Sequence, residues 1–169
     1  RLARRLYLAV TFPWIERHAT LGLACSSEAA AAAFGPSWRS HPRRRVLYCG
    51  HDFAPFRETV GRAEVRAELG LPPEAFVVGH VGSFRDEQKN QAFFVRVAAD
   101  LARRAPEARF VLVGEGALRP AIERQVEAAG LRERFVFAGV RPDVPRLLLG
   151  AFDLVLMPSR FEGLPLTLI

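Results

Sequence analysis

FVVGHV, at residues 76–81, is the first of four short apolar stretches that decide the fold. The others are RFVLV at 109–113, RFVFA at 134–138 and DLVLM at 153–157, and each of the four is followed by glycine or by Pro-Ser. Continuous apolar runs of this length are typical of parallel strands that are buried on both faces. They predict four strands of one parallel sheet.

Helical patterns separate these strands. The first places apolar residues at Phe94 and at the positions three, four and seven residues later. The second repeats an apolar residue every four positions over Leu118–Val126 and stops at Gly130. A third, short helix is predicted over 144–149, with Asp143 as its N-cap. Strand and helix in alternation predict βαβ units and a doubly wound α/β fold.

The upstream half contains another α/β unit. Residues 20–25 and 45–48 are predicted strands, and Ser26 or Ser27 is the predicted cap of an alanine-rich helix that ends before Gly35. A further helix is predicted over 60–69, followed by the linker Gly-Leu-Pro-Pro at 70–73. We therefore place a boundary between two α/β units within 52–73.

Charge and cysteine content exclude several classes of protein. The chain has 169 residues and a net charge of +6, and half of its residues are hydrophobic, which is enough for a buried core. The first 50 residues hold eight arginines and two glutamates, so the remainder is neutral and a nucleic-acid binder is disfavoured. Cys25 and Cys49 cannot form a disulfide scaffold, which favours a cytoplasmic location. The apolar run 6–15 is interrupted by Pro13 and is too short to span a bilayer.

The loops that follow the four main strands are the candidate site, because ligands bind at the carboxyl ends of parallel strands. The last of these loops carries Glu162 and Gly163, and then Pro165, where a helix could begin. Free N–H groups at such a helix start would bind phosphate, and a carboxylate beside them would accept hydrogen bonds from sugar hydroxyls. Arg85, Lys89 and Arg141 could supply positive charge. This combination predicts a nucleotide-sugar pocket.

The chain resembles family-4 glycosyltransferases of the GT-B fold. The resemblance rests on VGSFRDEQKNQAFF, FVLVGEGALR, FVFAGVRPDV and LVLMPSRFEGLPLTLI, which follow one another in the order and spacing of that family's donor-binding domain. Upstream, ACSSEAAAAAFG and VLYCGHDFAPFR resemble the last strand and helix of its N-terminal domain and the crossing between domains. It implies a Rossmann-like parallel sheet, truncated at both ends. The implied domains are an N-domain remnant over 1–53, a linker and helix over 54–73, and a nucleotide-sugar-binding domain over 74–169.

The resemblance also implies roles for particular residues. Glu162 matches the first acid of a Glu-x7-Glu element and would contact the sugar hydroxyls, while the second acid would fall one residue past Ile169. Lys89, which is the only lysine of the chain, matches the phosphate-binding lysine. The family's partner arginine is Ser83 here, and Arg85 is the candidate substitute. The remaining predicted donor-binding residues are Gly82, Glu115, Val140, Arg141, Gly163, Leu164 and Pro165.

The implied activity is transfer of a sugar from a nucleotide diphosphate sugar to a glycan or lipid-linked acceptor, with retention of anomeric configuration. No Asp-x-Asp pair and no zinc-like histidine spacing occurs, so we expect no metal and no cofactor. Arg, Lys and backbone N–H groups would then stabilise the leaving diphosphate. We expect the chain by itself to be inactive.

The basic first 50 residues suggest peripheral contact with an anionic membrane. The alternatives are a non-catalytic nucleotide-binding module and a sugar-nucleotide epimerase on the same fold.

Overall fold

The computed structural model describes residues 2–168, and the side chains of all of these except residues 2–6, 8 and 12. The predicted outer limits of the two domains, Arg1 and Ile169, lie outside the described residues. Contacts divide the chain into two compact units, residues 1–50 with 163–166 and residues 51–162 with 167–169. Each unit is described by itself.

The first unit contains helix α1 (Leu2–His18), strand β1 (Gly22–Ala24), helix α2 (Ser27–Phe34) and strand β2 (Arg44–Val46). β1 and β2 pair in parallel. The alanine-rich helix begins as predicted, because the Ser26 hydroxyl accepts a hydrogen bond of 3.0 Å from the Ala29 amide. It ends at Gly35, whose φ of 84° favours glycine. Among residues 2–168, no helix combines the length and the hydropathy needed to cross a membrane.

The second unit is built on four parallel strands in the order β5-β4-β3-β6. The strands are β3 (Val77–Val81), β4 (Arg109–Val113), β5 (Phe135–Gly139) and β6 (Leu154–Val155). Its helices are α3 (Arg62–Glu68), α4 (Gln91–Arg104), α5 (Arg119–Ala128) and α6 (Val144–Gly150). The predicted four-stranded parallel sheet and the three intervening helices are confirmed. β6 is shorter than the predicted 153–157, because it pairs with β3 at two positions only.

Alternate residues of the sheet point to two separate cores, as expected for strands covered on both faces. Val78, Phe110 and Leu112 pack beneath α4 and α5, and Val77 and Val111 pack on the opposite face with α3 and α6. Gly79 leaves room on that second face for the ring of Phe152, which a Cβ at this position would overlap. His80 shares the first face, and its ring lies 5.7 Å from that of Phe94.

An ion cluster around Asp153 links α3 to the edge of the sheet. Arg66 is 2% exposed and pairs with the Asp153 carboxylate at 2.6 Å. Asp153 also accepts a hydrogen bond of 2.7 Å from the Val77 amide and pairs with Arg62. The start of β3, the start of β6 and the helix α3 are thereby held by one carboxylate, and residues 54–73 contribute to the packing of the second unit.

Candidate functional site

Two loops of the second unit meet at the carboxyl ends of β3 and β6. The amide of Arg160 donates to the Gln88 carbonyl at 2.8 Å, and the Gln88 side-chain amide donates to the Phe161 carbonyl at 3.2 Å. Asn90 donates to the Pro158 carbonyl at 3.1 Å from a left-handed backbone conformation at the N-cap position of α4. The loops 82–90 and 157–162 are therefore held as one surface, at the sheet edge where α/β proteins bind ligands.

Lys89 and Glu162 form the charged centre of this surface. The Lys89 ammonium lies 2.7 Å from the Glu162 carboxylate, and their side chains are 24% and 19% exposed. Burial by itself raises the pKa of Glu162, but the hydrogen bond and the positive charge of Lys89 act in the opposite direction, and the pKa lies below its usual range. The two residues predicted to meet phosphate and sugar, which are separated by 73 positions, are thus neighbours in space.

His80 lies beneath this pair and was not among the predicted site residues. Its Nδ1 lies 3.0 Å from the Leu156 carbonyl oxygen, which can only accept, so Nδ1 carries the proton. Burial and the nearby Lys89 charge hold the pKa of the imidazole below its ordinary value. Its Nε2 and the Ser159 hydroxyl are buried side-chain polar atoms with no hydrogen-bond partner within residues 2–168. A histidine inside the otherwise apolar strand FVVGHV was the signal that could have identified it.

The glycines after β4 allow the loop 113–118 to lie directly on the loop that follows β3. Gly114 and Gly116 have φ values of 133° and 153°, and a Cβ at either would overlap the backbone of Gly82 or Phe84. Backbone hydrogen bonds of 2.9 Å, from Phe84 to the Glu115 carbonyl and from Leu118 to the Phe84 carbonyl, join the two loops. These glycines therefore support the loop that carries Lys89.

Two other predicted donor-binding residues, Arg141 and Glu115, form ion pairs with neighbouring side chains, and a third, Val140, has no such contact among the described residues. Both guanidinium contacts of Arg141 with Asp143 measure 2.7 Å, so Arg141 forms a local ion pair. Asp143 is the N-cap residue of α6, as predicted, but its side chain makes no capping hydrogen bond, because the carboxylate is held by Arg141, which also lowers its pKa. Glu115 pairs with Arg119. Val140 is exposed.

Ser83 and Arg85 are both exposed. The Ser83 carbonyl accepts a hydrogen bond of 2.9 Å from Gln91, and Arg85 forms no ion pair with the other described residues. Its guanidinium is therefore available, and its substitution for the arginine expected at Ser83 stays a prediction.

Gly163, Leu164 and Pro165 belong with the first unit. A Cβ at Gly163 would lie 2.9 Å from the Sγ of Cys25 in that unit. The helix start predicted at Pro165 is a three-residue 3-10 turn over Leu166–Leu168 in the described part of the chain. The proposed role of these three residues in holding the diphosphate stays a prediction.

No cluster of three His, Cys, Asp or Glu side chains able to hold a metal ion occurs within residues 2–168. The expectation that donor binding needs no metal stays a prediction.

Several known proteins similar to this chain are named as glycosyltransferases. The chain is 34% identical over 168 residues to the putative glycosyltransferase EpsF of Bacillus subtilis, covering 98% of this chain and 43% of that protein. It is 32% identical over 179 residues to the alpha-D-kanosaminyltransferase of Streptomyces kanamyceticus, covering 97% of this chain and 45% of that protein. The chain therefore spans less than half the length of these relatives.

The fold and a family model agree with these relatives. The crystal structure of Anabaena Alr3699/HepE in complex with UDP and glucose superposes with a TM-score of 0.77 at 28% identity, over 92% of this chain and 42% of that one. The prediction of a Rossmann-like sheet of the GT-B fold is confirmed. The family model described as glycosyl transferases group 1 matches residues 75–169, which include β3 to β6, Lys89 and Glu162. This chain belongs to the group 1 glycosyl transferase family.

Proposed function

We propose that the complete protein transfers a sugar from a nucleoside diphosphate sugar to a glycan or lipid-linked acceptor, with retention of anomeric configuration. The observation that carries the proposal is the Lys89–Glu162 pair, with its 2.7 Å contact at the carboxyl ends of β3 and β6. An ammonium matches the charge of a diphosphate, and an ionised carboxylate accepts hydrogen bonds from sugar hydroxyls. UDP and glucose in the Anabaena relative supply the matching ligand chemistry.

The proposed reaction gives these groups complementary tasks. Lys89 and backbone N–H groups stabilise the negative charge that develops on the leaving diphosphate. Glu162 holds the sugar by its hydroxyls and fixes the anomeric carbon relative to the acceptor. The acceptor hydroxyl attacks from the face that the diphosphate leaves and transfers its proton to a phosphate oxygen. The C–O bond to phosphate breaks, the new glycosidic bond forms, and the configuration is retained.

The experiment that tests this function is product analysis with the full-length protein. A panel of nucleotide sugars is incubated with glycan and lipid-linked acceptors, and products are identified by mass spectrometry and by the anomeric coupling constant. A new glycoside of unchanged configuration supports the proposal. Nucleotide binding without transfer would favour the non-catalytic module, and an altered nucleotide sugar formed without acceptor would favour the epimerase.

We further propose a cytoplasmic protein that contacts anionic membrane through the first 50 residues. The support is their excess of six positive charges and the exposure of the large apolar side chains Tyr7, Val10 and Trp14 in α1. Sedimentation of the full-length protein with anionic vesicles but not with neutral ones is the expected result. Equal sedimentation with both would contradict it.

A further inference from the structure

His80 carries a buried hydrogen-bond acceptor that receives no hydrogen bond from the described residues. Its side chain is 0% exposed, and its Nδ1–H is committed to the Leu156 carbonyl at 3.0 Å. The other ring nitrogen, Nε2, therefore carries a lone pair, and it is buried with no partner within the described residues. A buried acceptor without a partner is costly, so such an atom in a site points to a group that reaches it in another state.

The stem of Lys89 and this acceptor both lie close to the α-carbon of Gly82. A Cβ placed on Gly82 would lie 3.0 Å from His80 Nε2, 2.9 Å from Lys89 Cγ and 3.2 Å from Lys89 Cδ. The imidazole nitrogen and the lysine stem therefore crowd the same α-carbon, where only glycine leaves space for both. An ammonium at the end of this stem has three N–H donors, and one of them is used on Glu162 at 2.7 Å.

We propose that His80 is a positioning residue for Lys89, which moves between two partners. Without donor, Lys89 pairs with Glu162. When the donor binds, one N–H of the ammonium meets the diphosphate and another meets His80 Nε2, and Glu162 is released to accept from the sugar hydroxyls. The inference rests on the proposed function, and it assigns to His80 a role in diphosphate affinity that acts only through Lys89.

The neutrality of the imidazole is part of this role. A protonated Nε2 would donate instead of accept, and it would place a second cation beside Lys89. The charged groups that act on the ring are Lys89, which opposes protonation, and Glu162, which favours it. Burial is the larger effect and opposes protonation, so His80 remains an acceptor at neutral pH.

Two substitutions of His80 distinguish the roles of its two ring nitrogens. In His80→Asn the side-chain amide replaces Nδ1 and can still donate to Leu156, but Nε2 is lost. In His80→Gln the amide reaches the position of Nε2, but the bond to Leu156 is lost. The full-length protein is titrated calorimetrically with whichever of UDP, GDP and ADP binds the wild type best, and with the matching nucleoside, which lacks phosphate.

We expect His80→Asn to weaken binding of the nucleoside diphosphate about tenfold, because a hydrogen bond to a charged group is lost. We expect nucleoside binding to be unchanged, and His80→Gln to bind the diphosphate within about twofold of wild type. Diphosphate affinity of His80→Asn equal to wild type would overturn the inference. An equal loss in both variants would also overturn it, because it would mark the Leu156 bond as the cause.

Gly82→Ala provides a second route that keeps both side chains, and its added Cβ would lie 3.0 Å from His80 Nε2 and 2.9 Å from Lys89 Cγ. The added Cβ separates Nε2 from the lysine stem, so a loss of affinity confined to the diphosphate is expected, and no loss would contradict the proposal. A double-mutant cycle tests whether His80 acts on diphosphate affinity through Lys89. In a Lys89→Ala background, His80→Asn is expected to have no further effect, and a further tenfold loss would overturn the inference. If Lys89→Ala itself leaves diphosphate affinity unchanged, it is the proposed function that fails.

Discussion

Gly116 shows how a single residue type is required for the site to form. Its φ of 153° and its position against the Phe84 backbone leave no space for a side chain. We expect Gly116→Ala to lower the free energy of unfolding by about 3 kcal/mol, since both strain and overlap must be relieved. Chemical denaturation of the full-length protein measures this difference.

Gly130→Ala is the matched control for that substitution. Gly130 also has a positive φ, 68°, but a Cβ there would meet no atom within 4 Å. Its substitution therefore reports the backbone strain alone, which is about 1 kcal/mol. Equal losses in the free energy of unfolding at the two positions would show that the two loops can move apart to make room for the added Cβ.

His80 gives the stability a defined pH dependence. Its pKa in the folded protein lies below the usual value, mainly because the ring is buried. In the unfolded chain the imidazole takes up a proton at about pH 6.5, so the unfolded state binds more protons below that pH. We expect the free energy of unfolding to be constant above about pH 7 and to fall as the pH drops from 6.5 toward the folded pKa.

Denaturation of wild type and of His80→Gln at several pH values between about 5 and 8 tests this expectation. The variant lacks the titrating ring, so its curve should be flatter over the same interval. Parallel curves for the two proteins would assign the pH dependence to another group.

At the level of single residues, the sequence predicted Lys89 and Glu162 as site residues but not His80. Lys89 and Glu162 could be predicted because they lie in loops that follow predicted strands and match motifs of the family that the chain resembles. His80 lies inside an apolar strand, and the sequence does not show that one of its nitrogens is left without a partner. Arg141 was equally open, because only the structure shows that Asp143 takes both of its contacts.

Among the elements, α3 is linked to two strands of the sheet through one carboxylate. Asp153 connects it to β3 and β6 through Arg66 and the Val77 amide. Loss of the carboxylate would leave the guanidinium of Arg66 buried without its charge partner, which typically costs about 3 kcal/mol or more. We therefore expect Asp153→Asn to lower the free energy of unfolding by about that amount, as measured by chemical denaturation.

Asp100→Asn is the control for the ion cluster. Asp100 pairs with Arg103 on the exposed face of α4, and both side chains are about 70% exposed. Solvent-exposed pairs contribute little, so we expect a change within about 0.5 kcal/mol. If the two aspartate variants were equally stable, the cluster would not be what holds α3.

The elements of the second unit were predictable because burial on both faces imposes long apolar runs. β4 was predicted at the observed residues, and β3 and β5 within one residue at either end. β6 was predicted too long, since hydrophobicity alone does not show where pairing with β3 stops. Helix α1 was not predicted, because its apolar and basic residues do not segregate to two faces and it contains Pro13.

At the scale of the whole molecule, the charge distribution fits the two proposed roles, which are membrane contact by the first 50 residues and nucleotide binding by the later part of the chain. The excess of positive charge lies in the first 50 residues, while residues 51–169 are neutral overall and include the family match over 75–169. A neutral donor-binding region depends on a few placed cations rather than on a broad positive field. Salt should therefore weaken vesicle binding by the full-length protein more than it weakens nucleotide binding.

Lys89 and Glu162 are together proposed to bind a nucleoside diphosphate sugar. The most direct measurement is calorimetric titration of the full-length protein with its preferred nucleotide sugar and with the corresponding nucleoside diphosphate. The variants are Lys89→Ala and Glu162→Gln, with the exposed Arg124→Gln and Glu107→Gln as controls. We expect Lys89→Ala to weaken both ligands at least tenfold. We expect Glu162→Gln to weaken the nucleotide sugar only, and the controls to bind as wild type. Unchanged affinity of Lys89→Ala and Glu162→Gln for the nucleotide sugar would contradict the assignment of this site.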